Sequence, residues 1–259
     1  MELLNKIKKN GTKILSIIVL TSFIAPIGFL TFKICTTSND IAMADINGRV
    51  KSDYVLMLLQ CIIGIIAMWI PSILTRKFRL KIPNKMYYMY VIFLYSAIFL
   101  GEIRNFYYTI PYWDTILHTL SGFMIGCLGF SMVDILNSNN KNVMLSPFFI
   151  AFFAFCFAMA LGAVWEIYEF SSDGILKTNM QKFKLEDGTE LLGREAVKDT
   201  MDDIIVDGIG AFVASFIGYI SIRYKKGWFN DLRIKFHKNK DENSDLKDYI
   251  RTDDTAHLK

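Results

Sequence analysis

Apolar residues fall into six long runs, at roughly 14–34, 54–75, 87–109, 115–135, 146–169 and 203–223. At about 1.5 Å of rise per residue, each is long enough to cross a hydrocarbon layer of about 30 Å. The pattern predicts an all-α chain, a polytopic bundle of about six transmembrane helices. The third run is interrupted by Glu102 and Arg104, so its far end is the least defined. The sixth is entered through Asp199, Asp203 and Asp207, which recur every four residues and therefore share one helical face. The last lies about 12 Å further in than the first. A carboxylate at that depth is costly unless it is paired, protonated, metal-bound or lining a wet cavity.

Composition agrees with a membrane chain: 53% of the 259 residues are hydrophobic. Lys and Arg concentrate in 1–13, 76–86 and 224–259, while the acids favour the opposite connections. The positive-inside rule then places both termini in the cytoplasm. The chain divides into a transmembrane domain over 1–223, an extracytoplasmic loop over 171–198 and a charged cytoplasmic tail over 224–259. Lys6, Lys8, Lys9 and Lys13 precede the first run, and Ala42-Met-Ala44 resembles a cleavage site. The run is longer than a signal-peptide core, so an uncleaved anchor is expected. The four cysteines show no metal or redox spacing and imply no disulfide framework. The loop around Arg76, Lys77, Arg79 and Lys81 suits anionic lipid head groups. The tail after Arg223 is expected to be disordered or to lie on the membrane, with Trp228 and Phe229 at the interface. Nucleic-acid binding is not expected, because acids are interspersed among its lysines.

The remaining polar residues within the runs are few and patterned. Glu102 and Arg104 read most simply as an interfacial ion pair, and otherwise as accessory groups of a site. Asp114 and His118 are one turn apart at the start of the fourth run, and Gly122 and Gly126 continue that face. In the fifth, Ala154, Ala158, Gly162 and Glu166 follow at four-residue steps, with Glu169 sharing the face of Glu166. Ala211 and Ser215 extend the Asp203 and Asp207 stripe in the sixth. Small residues let helix backbones approach closely. Because consecutive spans alternate in direction, all of these polar groups fall in the outer halves of the last three. The expectation is a polar chamber in the outer leaflet, capped or merely bordered by the 171–198 loop.

Up to six carboxylates and one imidazole need compensation there, by a bound cation or by protonation. The expected ligand set is Asp114, His118, Glu166, Glu169, Asp199, Asp203 and Asp207, suited to Mg, Mn or Ca, with Zn also open. His118 and Glu166 are the candidate acid–base pair. No glycine-rich phosphate loop is present, and Ser121 has no nucleophile-elbow context.

Trp-Asp114-x-x-x-His118-x-x-Ser-Gly122, Trp165-Glu-Ile-x-Glu-Phe170 and Asp199-Thr-Met-x-Asp203-x-x-x-Asp207-x-x-Gly210-Ala resemble the YjdF-like bacterial inner-membrane family. More distantly they are similar to the VanZ-like group, associated with glycopeptide-antibiotic resistance. The likeness covers about 85–220 in consistent order, with Asp202 where a bulky residue is expected. It implies a multi-pass protein of the bacterial cytoplasmic membrane and supplies no reaction, so whether the chain is an enzyme stays open. Three functional readings stand. The pocket binds or acts on a lipid-linked or other envelope amphiphile, it couples transport to protons or cations, or its acids and histidine form an interhelical clasp.

Overall fold

Six helices long and apolar enough to cross a membrane occupy Gly11–Thr36, Lys51–Lys77, Asn84–Ile103, Trp113–Asn137, Pro147–Leu176 and Glu195–Arg223. The computed structural model describes residues 2–38, 48–77, 79–139, 144–185 and 188–236. The Ala42–Ala44 motif and the tail beyond Phe236 lie outside them. The first span is two helices, α1 (Glu2–Ile24) and α2 (Ile27–Thr36), separated at Pro26, which has no backbone N–H to continue the ladder. α3 (Lys51–Lys77) runs through Pro71, and the Thr75 hydroxyl donates to the Pro71 carbonyl at 2.7 Å.

α4 (Asn84–Leu94) continues as a π-helix over Tyr95–Ile103. It stops at Arg104, and Asn105 adopts the left-handed conformation at φ 63°. The third span therefore ends earlier than the hydrophobic run, and its last residues form the short helix α5 (Phe106–Thr109). The expected Glu102–Arg104 pair does not form: the charged neighbours of Glu102 are Asp53 and Arg49. At the end of a span, the turn at Asn105 carries Arg104 out into an exposed position.

α6 (Trp113–Asn139), α7 (Pro147–Leu176) and α8 (Lys198–Arg223) form the tightest part of the bundle. α7 opens on Ser146, whose hydroxyl accepts from the Phe149 N–H at 3.2 Å, with Pro147 in the first turn. α6 and α8 run side by side in the same direction, and α7 runs against both. Their register follows from glycines. A Cβ on Gly122 would overlap the Asp207 backbone, and one on Gly210 would overlap the Thr119 carbonyl. Further along, Gly126 faces Ala211 and Ala214, and Gly129 faces Ala154. Ala154, Ala158, Ala211 and Ala214 are buried, whereas Phe212 and Phe216 on the far side of α8 are exposed and stack on each other. The polar and small stripe thus faces protein and the bulky apolar side faces lipid, as the bilayer demands.

At the end of the bundle away from the acids, the chain after α8 folds back instead of leaving the protein. Phe229 is 2% exposed and packs on Phe130 at 4.7 Å between ring centroids. The Ile234 N–H donates to the Ser131 hydroxyl at 3.1 Å, and Arg233 pairs with the buried Asp134. A two-residue antiparallel ladder joins β1 (Leu80–Lys81) to β2 (Lys235–Phe236). The expectation that Phe229 shares an interfacial position with Trp228 is corrected here. Gly218 leaves space beside Phe130, and the 3-10 turn Gly227–Phe229 brings Phe229 to the same aromatic cluster.

Candidate functional site

The start of α6, the end of α7 and the start of α8 meet at one end of the bundle. Asp114 and Asp199 lie in the first turns of α6 and α8, where the helix dipole favours negative charge. One turn deeper, His118 is 7% exposed and faces three aspartates. Its Nδ1 is 3.3 Å from Asp207 Oδ2. Its Nε2 is 3.6 Å from Asp114 Oδ1 and 3.8 Å from Asp203 Oδ2. Asp207 is fixed from two more directions. The Ser121 hydroxyl lies 2.9 Å from Asp207 Oδ1, within reach also of the His118 carbonyl at 2.8 Å, and donates to one at a time. Gly162 on α7 makes room for the carboxylate, since a Cβ there would stand 2.7 Å from Asp207 Oδ2.

α7 contributes the other carboxylates. Glu169 is buried and accepts from Trp165 Nε1 at 2.9 Å. Glu166 is 5% exposed, and neither of its oxygens makes a well-formed hydrogen bond among the described residues. The Thr200 hydroxyl, which accepts from Gln181 Nε2 at 2.8 Å, is a polar neighbour of Glu166 and keeps its own proton to donate. Asp199 Oδ2 is likewise buried without a hydrogen bond. Asp202 is exposed and faces away. Asp114, His118, Asp203 and Asp207 therefore form one contiguous group, Asp199 borders it, and Glu166 and Glu169 close it from the α7 side.

The loop after α7 folds over this group. α7 ends at Lys177 in the left-handed conformation, φ 59°. The buried Asp173 carboxylate then accepts from the Thr178 hydroxyl at 2.6 Å and from the N–H groups of Met180 and Gln181 at 2.7 and 3.0 Å. The turn so fixed presents Lys182, itself at φ 47°, to the site. Its ammonium contacts Asp114 and sits 2.9 Å from Asp199 Oδ1. Burial works to lower the Lys182 pKa, but the two carboxylates outweigh it and hold the group above the ordinary lysine value. Lys182 is therefore a cation at any ordinary pH. At the rim, Tyr107 on α5 packs its ring on Gly101, where a Cβ would meet it at 2.5 Å. Burial and then the carboxylates of Asp114, Glu102, Glu169 and Asp203 push its phenol well above the ordinary value, so it stays a neutral hydroxyl.

Sequence periodicity missed Lys182, Ser121's bond to Asp207, and the anchoring role of Asp173. The loop has no helical period to mark Lys182, and charge balance alone would have asked for a cation without saying which. Asp114, His118 and Asp203 each offer a ligand atom within 4.8 Å of the others. An ion with bonds of about 2.1 Å holds cis ligands about 3 Å apart and trans ligands about 4.2 Å apart. The three groups are thus close to, and slightly wider than, a coordination geometry.

Comparison with known proteins gives a family and a relative. The profile of a family described as "Predicted membrane protein (DUF2238)" matches residues 41–224. An "Uncharacterized protein" of Thermotoga maritima is 32% identical over 139 residues, an alignment that takes in 53% of this chain and 61% of that protein. No solved structure matches.

Proposed function

The chain belongs to the DUF2238 family of predicted membrane proteins, and on that footing we propose that it holds a divalent cation between α6, α7 and α8 and uses it to bind the head group of a cell-envelope amphiphile. The YjdF-like likeness agrees with that membership; the VanZ-like one adds no activity.

The observation that carries the reading is the way His118 is turned. Its Nδ1 faces Asp207, which Ser121 and Gly162 hold in position, while its Nε2 faces Asp114 and Asp203. A metal-bound histidine characteristically gives its second ring nitrogen to a carboxylate, which fixes tautomer and ring orientation. In this assignment Nδ1–H donates to Asp207, and Nε2, Asp114 and Asp203 are ligands. Glu166, with two buried oxygens lacking hydrogen bonds, is the fourth. Three carboxylates and one imidazole suit Mn or Mg, and Zn less well. Asp207 becomes an orienting residue, and Glu169, held by Trp165, borders the ion.

The amphiphile follows from position. With the termini cytoplasmic by the positive-inside rule, the pocket opens at the outer leaflet, at head-group depth. Trp165 and Tyr108, both partly exposed at that end, suit an interfacial aromatic belt. An ion with one or two open positions would accept a phosphate oxygen. Transport is less well supported. Below the pocket the seam is filled by Gly, Ala and Ser, and the acid at its far end, Asp134, is already paired with Arg233.

The test is stoichiometry. The full chain in detergent should bind about one Mn2+ per chain, and Asp203→Asn should weaken binding by about 100-fold, since it removes a charged ligand. The same ion should raise the melting temperature of the wild type and not of Asp203→Asn. If both proteins ignore Mn2+ and EDTA alike, while Asp203→Asn melts lower, the His–Asp group is an interhelical clasp. The contacts of His118 across α6 and α8 already favour that as the second reading.

A further inference from the structure

Lys182 occupies a place that the pocket's chemistry does not require of a connector. Its ammonium touches Asp114, and the other oxygen of that same carboxylate is the one turned to His118. Asp114 is therefore shared between a tethered monovalent cation and the ion position. The tether is itself built: Asp173 fixes Thr178, Met180 and Gln181, Gln181 bonds Thr200 on α8, and Asn179 accepts from the Lys184 N–H at 3.0 Å. At its far side Lys184 pairs with Glu190 at 3.1 Å.

From this arrangement, and resting on the cation reading above, we infer that Lys182 is a specificity-determining residue: a tethered competitor that admits divalent ions, rejects monovalent ones, and leaves Asp114 when the ion enters. An ammonium and a divalent ion on the two oxygens of one carboxylate repel each other, so full coordination by Asp114 moves Lys182 outward and the loop with it. A tethered group acts at an effective concentration of about millimolar or higher. Sodium or potassium offers the carboxylates no more charge than the ammonium already supplies and has no means of displacing it. A divalent ion offers twice the charge, gathers Asp114, His118, Asp203 and Glu166 together, and wins. The loop is then a gate whose position reports the occupancy of the pocket.

The experiment uses the full chain in detergent with Mn2+ and Mg2+ as the probes. Mn2+ affinity, read by electron paramagnetic resonance, is compared for wild type, Lys182→Gln and Lys182→Arg. Removing a competitor at such an effective concentration should tighten Mn2+ binding about 10-fold or more in Lys182→Gln. The arginine variant, which keeps the charge, should stay near wild type. Sodium at high concentration should weaken Mn2+ binding by Lys182→Gln and leave that of the wild type unchanged. Independently of any variant, Mg2+ should raise amide exchange across 177–185 of the wild type, because the gate opens. Equal or weaker Mn2+ binding by Lys182→Gln, or unchanged or slower exchange with Mg2+, overturns the gate while the pocket stands. Failure of wild type and Lys182→Gln alike to bind Mn2+ overturns the cation reading and the gate with it.

Discussion

Gly122→Leu should abolish assembly of the α6–α8 seam. The α-carbon of Gly122 lies so close to Asp207 that even a methyl group would overlap its carbonyl, and the obstacle is backbone, which cannot turn aside. Gly210 makes the reciprocal approach to Thr119 on the same seam. Accommodating a leucine means parting two helices that also carry His118 and Asp203. Overpacking a well-filled interior typically costs about 1–3 kcal/mol when side chains can adjust, and here they cannot, so a loss of about 3 kcal/mol or more is expected. The measurement is reversible unfolding in mixed micelles, or recovery of folded protein after extraction. Gly28→Leu is the control, because a Cβ there meets nothing within 4 Å. Comparable losses at both positions would contradict the packing described.

His118→Leu should be nearly as damaging, for an electrostatic reason. Leucine fills much of the imidazole's volume, so the change isolates loss of the ring nitrogens. Asp207 would keep Ser121, and Asp114 would keep Lys182, but Asp203 would lose the imidazole and gain nothing. Removing one partner from a buried charged group typically costs about 3–5 kcal/mol. Thermal unfolding without added ion should show that loss, and Mn2+ should not restore it, since the substitution also removes a proposed ligand. Stability equal to wild type would mean that the aspartates do not depend on His118.

Much of this architecture was legible because it is periodic. Four-residue spacing put Asp114 and His118 on one face, ran Ala154 through Glu166 down another, and aligned Asp203 with Asp207, Ala211 and Ser215. The structure has each of those faces turned inward, with Ala154 and Ala211 fully buried. Six spans followed from run length alone. What escaped was aperiodic. Nothing in the pattern of Tyr95–Ile103 distinguishes a π-helix from an α-helix, and the end of that span depends on one left-handed residue, Asn105. Lys182 acts through a turn set by Asp173, a tertiary arrangement with no local signature. Phe229 looked like an interfacial aromatic beside Trp228, yet it is buried because a chain reversal carries it back to Phe130. Arg233 and Asp134, distant in sequence, meet by the same reversal.

In the proposed site His118, held by Asp207, offers Nε2 to a cation shared with Asp114 and Asp203. Electron spin-echo envelope modulation on Mn2+-loaded protein tests it most directly. The expected spectrum shows nitrogen coupling to a single directly bound imidazole, altered when histidine is labelled with nitrogen-15 and absent in His118→Leu. Bound Mn2+ with no nitrogen coupling, or coupling that survives the loss of His118, would contradict it.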